Sequence, residues 1–259
     1  TMRLTGKHFF GELENRPQAL QVLKKAVELG VNYIDTADYY GFDVTNRLIA
    51  EALYPYNDNI IIGTKIGAMR KEDTSWNVFS KPEQLRQSVE NNLKVLKLDQ
   101  LAVVHFRYMP GAETSFEDSL AAVFTLQKEG KIAHVGLSNV NRAQLESGLK
   151  MGEIGTVQNL YGYTQRTTLA GPMGGAGAEE IFDLLEENQI PLIPYFSLEA
   201  SLGRGQEKIE EMAKKYNVST AQMNLAWLLH KSPLILPIPG TTSLNHLEEN
   251  MAVSEISIS

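Results

Sequence analysis

Residues 30–41 read GVNYIDTADYYG. The stretch opens on a glycine of the kind that stops a helix and runs through Val31, Tyr33 and Ile34 as a strand. It then delivers Asp35, Asp38, Tyr39 and Tyr40 together to the strand's carboxyl end. A strand that only filled a core could end on any turn residue. Runs of the same type recur as NIIIGTK (59–65), LAVVHF (101–106), AHVGLSN (133–139), TVQNLY (156–161), LIPYFS (192–197) and LILPIPG (234–240). They are β-branched or aromatic and mostly apolar on both alternations, the pattern of a parallel sheet covered on both faces.

Helical patterns lie between these runs. One extends from about Pro17 to Leu29, with Leu20, Leu23 and Val27 on one face. Ser80 with Glu83 predicts a capping box ahead of Leu85, Val89 and Leu96; Ser219 with Gln222 predicts another ahead of Leu225 and Leu228, and Asn141 with Gln144 a looser one. Seven strand–helix units and a short first strand expected at Met2–Leu4 make eight, the number at which right-handed parallel crossovers close into a barrel. The chain has 259 residues, and one such domain usually has about 250. The expected fold is α/β, a single (β/α)8 TIM barrel over residues 1–259. A doubly wound sheet would want a GxGxxG turn after its first strand, and none is present. The Gly-rich GPMGGAG (171–177) lacks the Lys-Ser/Thr of a phosphate loop and reads as a mobile loop.

Composition narrows the partners. The formal net charge is −7 and no Lys/Arg cluster exceeds a pair, so the electrostatic footprint for nucleic acid or an anionic membrane is missing. The absence of cysteine excludes disulfides, thiolate nucleophiles and Cys-based metal sites. No run approaches the roughly 18–20 apolar residues that span a bilayer, and TMRLTGKHFF has no signal-peptide core. A cytoplasmic location is the default expectation, and the sequence leaves the oligomeric state open.

In a barrel of this type the chemistry sits where strands end and loops begin. The strand ends supply Asp35 and Tyr40, Lys65, His105, Ser138 and Asn139, Gln158, Tyr195, and Gly240 with Thr241. Each alone has a structural reading: a turn-forming Asp35, a solvated Lys65, a packed Tyr40, a satisfied core His105. Together, an acid, a lysine, a tyrosine and a histidine at one mouth suit protonation of a carbonyl oxygen while another group attacks the carbon. Tyrosine titrates near 10 in water, so a neighbouring cation would aid it as a general acid. Lys65 would be that cation, kept charged by Asp35, and His105 would hydrogen-bond the substrate oxygen.

Collinear stretches GVNYIDTADYYG, IIIGTKIG, the His105 strand end, GKIAHVGLSNV (130–140), VQNLY (157–161), IPYFSL (193–198) and IPGTTSLNHLEEN (238–250) resemble the aldo-keto reductases over nearly the whole chain. The resemblance implies a catalytic tetrad of Asp35, Tyr40, Lys65 and His105, Tyr40 being the tyrosine that directly precedes a glycine, Gly41. It implies a small-molecule carbonyl substrate, no metal, and a nicotinamide dinucleotide across the barrel mouth. Ser138, Asn139 and Gln158 are similar to the residues that hold the carboxamide, and Tyr195 to the aromatic under the nicotinamide ring. The backbone around Leu198 and Gly240, Thr241, Thr242 and Ser243 would receive the phosphates at a helix start, and Glu249 and Asn250 would hold the adenine.

The phosphate segment departs from the family pattern. Gly240 and His246 stand where members that bind NADPH tightly often carry a cation. Serine and threonine hydroxyls at 241–243 and a protonated His246 would substitute, so NADP(H) remains the favoured cofactor with NAD(H) as the alternative. Phe10, beside Phe9, and Trp76, in a long loop after Lys65, are candidate walls of the substrate pocket. The competing functional class is a cofactor-sensing binding protein on the same barrel with negligible turnover. A metal-dependent hydrolase would need more histidines at strand ends than His105 alone.

Overall fold

Prolines and glycines decide where the strands of this protein pair fully and where they do not. A computed structural model describes residues 1–169, 175–198 and 205–258. In chain order the regular elements are α1 (Arg16–Glu28), β1 (Tyr33–Asp35), α2 (Val44–Leu53), β2 (Ile61–Arg70), β3 (Trp76–Phe79), α3 (Pro82–Leu96), β4 (Leu101–Arg107), α4 (Phe116–Lys128), β5 (Ile132–Ser138), α5 (Arg142–Met151), β6 (Thr156–Gln158), α6 (Phe182–Glu187), α7 (Gln206–Tyr216), α8 (Thr220–Lys231) and α9 (Leu244–Met251). Strands β1, β2, β4, β5 and β6 pair in that order and all parallel. The wall continues through single parallel bridges from Val157 to Leu192 and from Leu192 to Ile235. These last two positions are the strands expected at 192–197 and 234–240. Their ladders are reduced to bridges because Pro191, Pro194, Pro233, Pro237 and Pro239 withhold the N–H groups a continuous ladder needs. The arrangement is that of a (β/α)8 barrel, with the apolar shell between helices and strands built from residues such as Leu23, Ile49, Val89, Leu120, Ile62, Val104 and Val135.

The strand expected at Met2–Leu4 is a 3₁₀ turn instead. The Leu4 N–H donates to Thr1 O at 2.7 Å and the Thr5 hydroxyl to Met2 O at 2.7 Å, so these backbone groups are satisfied locally. The cap expected at Ser80 falls one residue later: Pro82 sets the first helical φ of α3, Lys81 is the N-cap, and its N–H donates to Gln84 Oε1 at 3.1 Å. The boxes at Asn141 with Gln144 and Ser219 with Gln222 form as expected. Of the Gly-rich loop at 171–177, residues 171–174 lie outside the described residues. Gly175 and Gly177 bridge to Leu169 and Leu160.

The segment after Lys65 is not a loop. β2 continues beyond the barrel wall, and β3 folds back antiparallel on it from Gly67↔Phe79 to Arg70↔Trp76. Gly67 permits this departure: its φ is +102°, and a Cβ there would lie 2.1 Å from the carbonyl oxygen of Arg107 on β4.

Under the β1–α2 connection runs a buried polar chain. The Thr36 hydroxyl donates to Asn46 Oδ1 (2.8 Å), Asn46 Nδ2 to Asn92 Oδ1 (2.9 Å), the Thr64 hydroxyl to the same oxygen (2.7 Å), and Asn92 Nδ2 to Ser88 O (2.8 Å). The Ser88 hydroxyl in turn donates to Asp38 Oδ2. This chain ties β1, α2, β2 and α3 together behind the loop that carries Tyr39 and Tyr40. Burial pushes the Asp38 carboxyl up to about 7, Ser88 pulls it part of the way back, and the charge of Asp43 adds to the rise.

Two outcomes follow. Gly67→Ala is expected to lower the unfolding free energy by ~1–3 kcal/mol in urea titrations, the scale of local backbone strain. Because the folded state holds the Asp38 proton more tightly than the unfolded chain, this group's contribution to stability is full below the ordinary carboxylate pKa and is lost as pH rises towards about 7. Asp38→Asn is therefore expected to shrink the fall in stability between pH 5 and pH 8 relative to the unaltered protein; an unchanged difference would refute the assignment.

Candidate active site

The registers of the ladder stack the inward-facing residues in rows. Lys65, His105, Gly136 and Thr156 are mutual partners across β2, β4, β5 and β6. Two residues further along the strands, Arg107, Ser138 and Gln158 form the next row. That upper row lines a cavity of about 440 Å³ at the carboxyl ends of the strands, together with Asp35, Tyr39, Tyr40, Tyr195, Leu198 and Gly240. From the lower row only the long side chain of Lys65 reaches it.

Lys65 and Asp35 are almost completely buried, at 2% and 8% exposure. The Lys65 ammonium donates to both Asp35 carboxylate oxygens at 2.7 Å and to Thr36 O at 2.8 Å. Gln158 Nε2 donates to Asp35 Oδ1 at 2.9 Å, and the Thr1 nitrogen to Asp35 O at 2.8 Å. Burial alone would raise the Asp35 carboxyl. The Lys65 charge and the hydrogen bonds from Lys65 and Gln158 act against it, and the group is held below its usual range. All three Lys65 protons are thereby committed, and the ammonium lies 4.9 Å from the centroid of the Tyr40 ring. The Tyr40 phenol is pushed well above its ordinary pKa by burial and by the Asp35 charge, with Arg107 drawing it back. Tyr40 is therefore a neutral phenol at neutral pH, with its proton available to donate.

His105 is not brought to this cavity. Its imidazole lies in the lower row, fully buried against Gly136, where a Cβ would come within 2.7 Å of the ring, and its Nε2 is 2.8 Å from the Thr156 hydroxyl. Burial and the Lys65 charge bring its pKa down to about 4 despite Asp35, so it is neutral. Phe10 also lies outside the lining, edge-on to Phe42 with centroids 5.0 Å apart, and Phe9 lines the cavity in its stead. Trp76 does line it, carried there by the β2–β3 hairpin.

The remaining sequence candidates fall around the same mouth. The Tyr195 hydroxyl donates to Asn139 Oδ1 at 2.8 Å, and that oxygen also accepts the Ala176 N–H at 2.7 Å. Burial raises the Tyr195 phenol to about 12. Ser243 caps α9, its hydroxyl accepting the His246 N–H at 3.3 Å, and the Thr242 carbonyl accepts Gln18 Nε2 at 2.6 Å. Thr241 and Asn250 line a neighbouring cavity of about 340 Å³ that shares Asp35 and Gly240 with the first. His246 and Glu249 are exposed on α9.

Three arginines that belong to none of the sequence motifs line the main cavity: Arg3, Arg70 and Arg107. Arg3 stands against Gly240, where a Cβ would be 3.2 Å from Arg3 Cγ. The signal for Arg107 was in the sequence: it lies two residues beyond His105 on the same strand, hence on the same face. Arg3 and Arg70 arrive through the N-terminal turn and the hairpin, which carried no such signal.

The model of the Aldo/keto reductase family matches residues 1–259. Pyridoxine 4-dehydrogenase of Escherichia coli (strain K12) is 41% identical over 263 residues, which cover 100% of this chain and 88% of that protein. The uncharacterized oxidoreductase C215.11c of Schizosaccharomyces pombe is 32% identical, over 100% of this chain and 81% of its own length. Among solved structures, the thermostable aldo-keto reductase Tm1743 superposes with a TM-score of 0.81 at 27% identity, over 97% of this chain and 86% of that one. An aldo/keto reductase of Klebsiella pneumoniae solved with NADP and acetate shares the fold, with a TM-score of 0.77 at 22% identity over 100% and 84% of the two chains. A barrel whose strand ends gather a buried Lys–Asp pair under a tyrosine thus meets a family match along its whole length, and the chain belongs to the aldo/keto reductase family of oxidoreductases.

Proposed function

We propose that this protein transfers hydride between NADP(H) and the carbonyl carbon of an aldehyde or ketone, with Tyr40 as the general acid. The observation that carries the reading is that Tyr40 lines the cavity with its ring centroid 4.9 Å from the ammonium of the buried Lys65–Asp35 pair. When bound, the reduced nicotinamide supplies the hydride. Tyr40 gives its proton to the carbonyl oxygen, and the Arg107 charge favours the phenolate left behind until solvent reprotonates it. In the reverse direction the phenolate takes the proton of an alcohol. His105 stands beside Lys65 in the register, held against Thr156.

The residues present fit a dinucleotide. Ser138, Gln158 and Tyr195 line the side of the cavity where a carboxamide ring would rest, and Asn139 holds Tyr195 in place. Leu198 and the Gly240–Ser243 segment lead to the α9 N-terminus, where main-chain N–H groups and the helix dipole favour phosphate. Glu249 and Asn250 on the same helix would meet the adenine. Arg3, beside Gly240, supplies a cation to the segment that carries none of its own, and this supports NADP(H) over NAD(H). Pyridoxine, named for the relative in Escherichia coli, is the first alcohol to assay.

Tyr40→Phe is expected to cut turnover about a hundredfold or more, the scale of a general acid, while binding of NADPH in a fluorescence titration stays nearly intact; equal turnover would remove Tyr40 from the role. Michaelis constants measured for both cofactors on one carbonyl are expected to favour NADPH. A preference for NADH above about tenfold, equivalent to ~1.4 kcal/mol, would reverse the cofactor assignment.

A further inference from the structure

The chain carries a net charge of −7, yet the main cavity is lined by four cationic side chains, Arg3, Lys65, Arg70 and Arg107, against one carboxylate, Asp35. Lys65 is committed to Asp35, and Arg3 stands by Gly240. Among the described residues, Arg70 and Arg107 have no such carboxylate or backbone neighbour at the cofactor side, and the Arg107 charge also acts on Tyr40. Both guanidinium groups lie against the ring of Trp76, with Cζ 4.6 Å and 5.8 Å from its centroid. Tyr39 meets the same ring edge-on at 5.4 Å. Arg70 donates once, to His8 O at 2.9 Å. Among the described residues neither guanidinium has a carboxylate partner, and the Nε of each is buried without a hydrogen bond. Arg107 lines the same cavity as Tyr39, Tyr40 and Tyr195, and its charge draws down all three phenols. Two guanidinium groups converging on one ring repel each other. An arrangement of this kind is relieved by an anion with planar or tetrahedral oxygens, which a guanidinium fork binds in two-point fashion.

We propose that Arg107, with Arg70 beside it, forms an anion subsite in the cavity, and that the carbonyl compounds this protein takes carry an ionised oxygen group, carboxylate or phosphate, close to the reacting carbon. The identity of the reacting carbonyl rests on the reductase reading above; the anion subsite itself does not.

The test has an equilibrium arm and a kinetic arm. Benzoate and its neutral isostere benzamide are titrated into the protein, with and without NADP⁺, while tryptophan fluorescence is read; Trp76 lies at the subsite and Trp227 elsewhere, packed on Tyr161. Benzoate is expected to bind at least tenfold more tightly than benzamide, and Arg107→Met to reduce that ratio below threefold. In the kinetic arm, 4-carboxybenzaldehyde and 4-formylphenyl phosphate are compared with the neutral methyl 4-formylbenzoate. Arg107→Met is expected to lower kcat/KM for the anionic aldehydes at least tenfold more than for the ester, chiefly through KM. The better of the two anionic substrates identifies the group the subsite prefers.

A protein that reduces none of the aldehydes yet distinguishes benzoate through Arg107 would refute the reductase reading and leave the subsite standing. One that reduces all three without regard to charge and binds benzoate no better than benzamide would refute the subsite and leave the reductase standing. The comparison of the two titrants on the unaltered protein decides the matter even if the variant fails to fold.

Discussion

The ion pair between Lys65 and Asp35 organises the barrel mouth. Both groups are withdrawn from water, and a buried charge is tolerated only when its hydrogen-bonding capacity is met. Here the lysine has three acceptors and the carboxylate is gripped by Lys65 and Gln158. Removing one partner from such a pair typically costs ~3–5 kcal/mol, because the other is stranded. The pair therefore fixes the ends of β1, β2 and β6 relative to one another, and the tyrosine loop after Asp35 inherits that position.

A second buried system supports the first from behind. The Thr36–Asn46–Asn92–Ser88–Asp38 chain is polar, buried except at the partly exposed Asp38, and satisfied at most of its atoms, and it holds the segment between Asp35 and Tyr40 from the helical side. Networks of this kind specify one geometry more strictly than apolar packing does, since each displaced member leaves an unpaired group. Tyr40 thus sits between an ion pair in the barrel and a hydrogen-bonded chain in the shell.

Much of this was legible in the sequence, for reasons that can be traced to individual residues. Strands β1, β2, β4, β5 and β6 show as apolar runs because each is covered on both faces, and the polar residues that end them converge because a parallel barrel aligns its strand ends. Asp35, Lys65 and Tyr40 were found in that way. His105 was also found, but a strand-end position in one dimension does not say which row of the barrel a side chain occupies. The register sets it beside Lys65 with its ring against Gly136, in the row below Arg107, Ser138 and Gln158. Met2–Leu4 read as a strand because three residues are too few to separate an extended run from a 3₁₀ turn. The hairpin of β2 and β3 was hidden because its inner strand is continuous with a barrel strand and its outer strand, Trp76–Phe79, is short and exposed at its start. With the hairpin went Arg70 and the setting of Trp76.

That hairpin has a practical corollary. Its residues hang from the barrel rim by one antiparallel ladder, and Gly67 is the point at which β2 passes the Arg107 carbonyl. The turn between Arg70 and Trp76 can therefore change length and chemistry without touching the wall that carries the ion pair. A laboratory library restricted to those few positions would vary the chemistry at the cavity rim while the strands that hold the ion pair stayed unaltered.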